Sequence, residues 1–228
     1  MLPKLLHRHL FSVVTSAWTV EFQRFLPEWA GHVAMLEHTP GEVIIATGEP
    51  VDTFVRRRVD DILEVRWVQA PVKPSVSLPS MVNWAIRCSS STWVCKVDAD
   101  DIVLPHAFNM IGSTGARDAD ILCASYRYGV DGPDVRVGPV TADMVLASDT
   151  NLLASCSPFR RSLWERHWYR DWVYEDWVFW LECASEGARF LPTGTVDYVY
   201  RLHDAQSHRS ATADDMSRVL RFRDGLTL

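Results

Sequence analysis

Trp93-Val94-Cys95-Lys96-Val97-Asp98-Ala99-Asp100-Asp101 decides how the chain is read. A run of β-forming apolar residues stops in three carboxylates within four positions, and Ile102-Val103-Leu104-Pro105 follows. In an open α/β sheet, ligands bind just beyond the carboxyl ends of the strands. Asp98 and Asp100, two residues apart, point the same way where strand geometry persists. Bare carboxylates that close repel, which calls for a cation between them. The simplest is a hard divalent ion, Mg²⁺ or Mn²⁺, which prefers oxygen ligands. A solvated turn is the plainer reading of a single Asp after a strand; three behind a buried-looking strand favour a site. An EF-hand is excluded, because counting Asp98 as position 1 puts Ile102, Val103 and Asn109 at positions 5, 6 and 12.

Working outward, the 228 residues are 47% hydrophobic and 23% charged, enough for a full core in one domain. A net charge of −6 argues against a broad nucleic-acid-binding surface. Cys88, Cys95, Cys123, Cys156 and Cys183 form no C-x-x-C pair. That scatter suits buried thiols in a reduced, cytoplasmic protein. The N-terminus lacks the apolar core of a signal peptide, and no 18 apolar residues run together, so no membrane span is expected. Five of the ten tryptophans lie between Trp164 and Trp180, either as plain core or as an aromatic wall.

Strand and helix patterns alternate. Strands are expected at Leu10–Ser16, Glu42–Gly48, Ile62–Val68, Trp93–Val97, Asp120–Tyr126, Asn151–Ser157, Arg189–Leu191 and Val196–Leu202. Helices are expected at Ala17–Ala30 (interrupted at Pro27), Ser80–Arg87, Leu104–Ile111, Phe159–Trp168 and Ala211–Arg223. Residues 127–150 read as loop or edge structure. Pro71, Pro74 and Pro79 mark an irregular connection. Another helix opens at Glu175-Asp176 and repeats Trp177, Trp180, Leu181 and Ala184 at helical spacing, with Gly187 as its C-cap. Glu175 and Asp176 sit in its first turn, where the backbone dipole favours ionised carboxylates. Simple helix capping is the competing reading of this pair. Arg201, His203, His208 and Arg209 fall within nine positions after a strand and suit a diphosphate or metal pole.

Such alternation predicts an α/β fold with a mostly parallel sheet flanked by helices. The chain has no P-loop, no dinucleotide-binding glycine fingerprint, no G-x-S-x-G elbow and no H-E-x-x-H. An acidic strand end, a second carboxylate pair and a late His/Arg cluster suit transfer from a diphosphate leaving group.

These stretches resemble glycosyltransferase family 2 enzymes of the GT-A (Rossmann-like) fold over most of the chain. Val97-Asp98-Ala99-Asp100-Asp101 with Leu104-Pro105 is similar to the D-x-D motif, the most specific match. Tyr174-Glu175-Asp176-Trp177-Val178-Phe179-Trp180-Leu181 resembles the E-D-W-x-x-W-L helix, about 75 residues later. Tyr200-Arg201-x-His203 resembles the closing Y-R-x-H. The opening strand with Thr15 and Ser16 is similar to the family's nucleotide-contacting start, and Asn83 falls in a segment like Arg-Asn-x-Gly. Glu49 lies where the family usually carries Asp-Asp-Gly-Ser.

The resemblance implies one GT-A domain over 1–228. Residues 1–105 would form the nucleotide-sugar half and 106–228 the acceptor half. It implies Asp176 as catalytic base with Glu175 beside it, and donor contacts from Thr15, Ser16, Glu49, Asn83, Asp98 and Arg201. Asp100 and His203 would hold Mn²⁺ or Mg²⁺. Trp177, Trp180 and Arg160 would meet the acceptor. The expected activity is inverting transfer of one sugar from a nucleoside-diphosphate sugar to a hydroxyl of a glycan or lipid-linked sugar, with a modified nucleic-acid base also open as acceptor. A sugar-nucleotide-binding protein without turnover and a nucleotidyltransferase of similar fold are the competing readings.

Overall fold

A computed structural model describes residues 10–70, 77–203 and 211–226. Pro71, Pro74, His208 and Arg209 lie outside them, whereas Pro79, expected in the same irregular connection, sits in the first turn of the helix Leu78–Cys88. The elements run β1 (Phe11–Ala17), α1 (Val20–Gln23), α2 (Leu26–Ala34), β2 (Glu42–Thr47), α3 (Thr53–Asp60), β3 (Arg66–Gln69), α4 (Leu78–Cys88), β4 (Trp93–Lys96) and β5 (Ile102–Val103). They continue with β6 (Ile121–Tyr128), β7 (Asp134–Val135), α5 (Ala142–Ala147), β8 (Phe159–Arg160), α6 (Arg161–Arg166), α7 (Glu175–Ser185), β9 (Phe190–Tyr200) and α8 (Ala213–Leu226).

The strands form one mixed sheet in the order β3-β2-β1-β4-β8-β6-β9-β5, with β7 pairing β6. Parallel pairing links β3, β2, β1 and β4, and again β6 with β9. The two-residue β8 runs antiparallel between β4 and β6 and touches only their first residues, Trp93, Val94 and Ile121.

Successive strand residues point to opposite faces, and both faces are covered, which is why the strands read as continuous apolar runs. Val14, Ile44, Ala46 and Val94 pack under α4 and α7; Val13, Val43, Ile45, Trp93 and Cys95 pack under α2. Cys95, Cys123, Cys156 and Cys183 are buried free thiols. No described helix is long and apolar enough to cross a membrane.

Several expected elements differ. The helix expected over Ala17–Ala30 divides into α1 and α2, with Pro27 in the first turn of α2, where its missing N–H is harmless. Asp52 opens an unexpected helix, α3, by accepting from the N–H groups of Phe54 and Val55. The third strand is consequently shorter than expected. Leu104–Ile111 forms successive turns instead of a helix, because Phe108 adopts φ 70° to reach the core against Phe11. Asn151–Ser157 is loop rather than strand, and Phe159–Trp168 splits into β8 and α6. The two late β-runs join into one strand, β9. Residues 127–150 hold β7 and α5. The cap at Gly187 is as expected: it sits at φ 77°, and Ala188 N–H donates to the Cys183 carbonyl.

Candidate active site

Beyond the short β8, no described strand joins the carboxyl ends of β4 and β6. A cavity of about 400 Å³ opens there. Ser16 and Trp18 wall it from β1; Asp98, Asp100 and Asp101 from beyond β4; Tyr126, Tyr128, Tyr198 and Tyr200 from β6 and β9; and Glu175 and Asp176 from α7. A larger groove of about 810 Å³ lies at the opposite end of β1 and β2. Its Glu42 is already occupied by the hydroxyls of Ser12, Ser90 and Ser91.

Strand alternation explains the chemistry of the first cavity. Val94, Lys96 and Asp98 share the face that packs under α7, so the side chain of Lys96 runs beneath the start of that helix. Lys96 is 2% exposed. Its ammonium lies 2.8 and 2.9 Å from the two Asp98 oxygens and 3.7 Å from Glu175. Burial opposes its charge, but Asp98 and Glu175 outweigh that and hold it well above the ordinary lysine range. The cation expected between Asp98 and Asp100 is therefore, for Asp98, supplied by the protein. Strand β4 itself carries it, and only the packing of α7 reveals its role.

Asp100 has a different partner. Its carboxylate meets His203 Nε2 at 2.7 Å, and the imidazole is held by the Phe25 ring 5.1 Å away. Burial, then the neighbouring Asp98, raises the Asp100 carboxyl. Asp101 turns inward instead, accepting from the Arg201 N–H at 2.9 Å, and so ties the acidic turn to the end of β9.

Asp176 accepts from Asn151 Nδ2 at 3.1 Å and from the Trp177 N–H at 2.8 Å. Ser155 donates to Asp98 at 3.2 Å. The 151–155 loop thus spans the gap between the two carboxylate groups. Burial raises the carboxyl of Asp176, and it raises that of Glu175 to about 8. The ionised state expected of Glu175 from the helix dipole is overridden by desolvation, which is the stronger effect in a buried site.

The sequence matches no protein-family model and no curated protein. Among solved structures, TarS 1–349 of S. aureus in complex with UDP-GlcNAc superposes with a TM-score of 0.74 at 16% identity, covering 95% of this chain and 66% of that one. The mannosyltransferase PcManGT from Pyrobaculum calidifontis, in complex with GDP-Man and Mn²⁺, gives 0.65 at 14% identity, covering 96% and 70%. The chain spans 65% of TarS 1–349 and 39% of the longer TarS structure. The fold is that of the GT-A glycosyltransferases.

Within this GT-A frame, Ser16, Asp98, Asp100, Glu175 and Asp176 line one cavity, and His203 joins them through Asp100. The other expected residues are not on the cavity wall. Thr15 is buried on the opposite face of β1 from Ser16. Asn83 is a structural tie, donating to the Tyr169 carbonyl and accepting from Trp164 Nε1 and the Tyr169 N–H. Arg160 donates to the carbonyls of Ala116, Arg117 and Ala119 and lies 4.2 Å over Trp93, at the opposite end of β4. Trp177 and Trp180 are 2% and 0% exposed, in the core, because α7 is buried on nearly every side. Glu49 is exposed past β2 and outside the cavity wall. The Arg201 guanidinium pairs with Glu28 at 2.9 Å.

Among the described residues, no three His, Cys, Asp or Glu side chains form a ready metal cage. Asp100 and His203 offer a carboxylate and an imidazole, both acceptable to Mn²⁺. A diphosphate would have to complete such a shell with its own oxygens.

Proposed function

We propose that the chain is a glycosyltransferase that moves one sugar from a nucleoside-diphosphate sugar to an acceptor hydroxyl with inversion. One observation carries this: Asp98 and Asp100 meet Asp176, from a distant helix, around a single cavity at the carboxyl edge of a GT-A sheet. TarS with UDP-GlcNAc and PcManGT with GDP-Man and Mn²⁺ support a donor of that class.

In this reading residues 1–105 hold the nucleotide, with Ser16 and Asp98 facing it, and residues 106–228 receive the acceptor. Asp100 and His203 would hold Mn²⁺ or Mg²⁺, whose chemistry when bound is charge compensation on the departing diphosphate. Asp176 takes the proton of the acceptor hydroxyl. That oxygen bonds to the anomeric carbon from the side opposite the diphosphate, which leaves with the electron pair of its C–O bond. Asn151 and the Trp177 N–H fix both oxygens of Asp176, and burial brings its basicity closer to the working pH. Glu175, in the same first turn of α7, is buried beside Lys96.

Thermal unfolding with UDP, GDP, ADP and CMP, each with and without Mn²⁺, tests the donor half. A nucleotide that stabilises only with the metal, with the gain lost in Asp100→Ala, is the expected result. No stabilisation by any of them would remove the reading.

A further inference from the structure

The cavity has a feature that donor chemistry does not use. Tyr126 and Tyr128 on β6 stand in register with Tyr198 and Tyr200 on the parallel strand β9. Residues two apart share a strand face, so the four rings form one patch, and all four line the cavity. Tyr126 and Tyr198 lie 5.5 Å apart, and Tyr128 and Tyr200 stack at 5.7 Å with planes 16° apart. The patch rises from a buried floor to the mouth: Tyr198 is 2% exposed and Tyr128 is 43% exposed. Gly129, at φ 82°, turns the chain after Tyr128 and donates to the Tyr200 carbonyl, which fixes the outer pair. At the floor, Ser155, which also lines the cavity, donates to Asp98.

Core packing accounts for Tyr198 but not for Tyr128, a large ring kept stacked at a solvent opening. Charge narrows what such a wall would take. Asp98, Asp100, Asp101 and Asp176 line the cavity, and among the described residues its one basic lining side chain, Lys96, is engaged by Asp98 beside Glu175. Away from the Asp100–His203 pair, which the transferase reading reserves for the metal and the donor diphosphate, an acceptor carrying phosphate or carboxylate would meet repulsion with no described cation to answer it. Flat aromatic faces edged by phenol hydroxyls suit a ring with an apolar C–H face and a rim of hydroxyls.

We infer that the Tyr126–Tyr128–Tyr198–Tyr200 wall is the acceptor platform, and that the acceptor is an uncharged pyranose sugar stacked on the Tyr128–Tyr200 pair. This rests on the transferase reading and assigns the substrate class of its acceptor half. β6 and β9 lie on the far side of β4 from β1, where that reading places the nucleotide.

Saturation-transfer NMR on the whole chain tests it with the methyl pyranosides of glucose, galactose, mannose and N-acetylglucosamine, with glycerol 3-phosphate and UMP as contrasts. At least one pyranoside should take up saturation, and its affinity should fall about three- to tenfold in Tyr128→Ala, the range for loss of one aromatic contact, and hold in Tyr128→Phe. Glycerol 3-phosphate should stay silent. The inference is overturned if no pyranoside binds, if Tyr128→Ala binds them as the wild type does, or if glycerol 3-phosphate binds better. It is also overturned if Tyr128→Ala selectively weakens UMP, which would make the wall a nucleobase site. The nucleotide–Mn²⁺ unfolding experiment is read independently. A pyranoside signal without any nucleotide effect would sink the transferase reading alone, and the reverse would sink the platform alone.

Discussion

The ammonium of Lys96 straddles both oxygens of Asp98, at 2.8 and 2.9 Å, inside a site that also receives Glu175. The first carboxylate of the D-x-D stretch is thus balanced by the strand that delivers it. Removing one partner of such a buried pair leaves the other uncompensated.

Lys96→Met should therefore destabilise the protein by about 3–5 kcal/mol. The double variant Lys96→Met/Asp98→Asn should recover part of that loss, since the stranded charge is gone. Urea unfolding of the two variants measures it. A Lys96→Met protein as stable as the wild type would show that the pair contributes little.

Asp176→Asn keeps the size and the hydrogen bond to the Trp177 N–H but cannot accept a proton. Transfer should fall by about 10²–10⁴-fold, the usual worth of a general base. Nucleotide affinity, read by calorimetry, should stay within about twofold of the wild type, because the change leaves ground-state contacts to the donor intact. Near-normal turnover would exclude Asp176 as the base.

Glu175 links pH to stability. Its carboxyl stands at about 8 in the folded chain, raised by burial, then opposed by Lys96, against an ordinary value of 4.5. The folded state thus holds a proton that the unfolded state gives up between those values. Its contribution to stability is full below about 4.5 and is lost as pH rises through about 8. Glu175→Gln, which never ionises, should gain in Tm relative to the wild type between pH 5 and pH 9. Each kcal/mol is worth about 2–4 °C at this chain length. A Tm difference that does not change with pH would contradict the assignment.

Trp180 and Asn83 should act on folding rather than on substrates. Trp180→Ala should cost about 3–5 kcal/mol as a core truncation. Asn83→Ala strands the Trp164 indole N–H and two backbone groups of Tyr169, for a loss of about 1–3 kcal/mol. Trp180→Phe and Asn83→Ala should leave nucleotide affinity unchanged by calorimetry; a selective loss of affinity would return them to the site.

Local pattern was enough for the alternating architecture, for the acidic strand end and for α7 with its Gly187 cap, since each depends on residues within one element. Together with the family resemblance, it brought Ser16, Asp98, Asp100, Asp176 and His203 forward as candidates. It left Trp177 and Trp180 open between core and acceptor wall, because an apolar stripe at helical spacing looks alike whether it faces a ligand or a second layer of protein. Arg160 and Asn83 offered polar side chains whose partners, main-chain groups 41–44 and 86 positions away, no local pattern displays.

By itself the sequence determined which residues alternate, where carboxylates gather and how α7 begins and ends, because these are matters of short-range geometry and propensity. Only the tertiary structure decided that Lys96 lies under α7 to meet Glu175, that the 151–155 loop crosses to Asp98 and Asp176, and that four tyrosines from β6 and β9 form one wall. The reason is physical: those contacts join segments tens of residues apart, and their existence depends on which sheet face each helix covers and on how far β8 extends between β4 and β6.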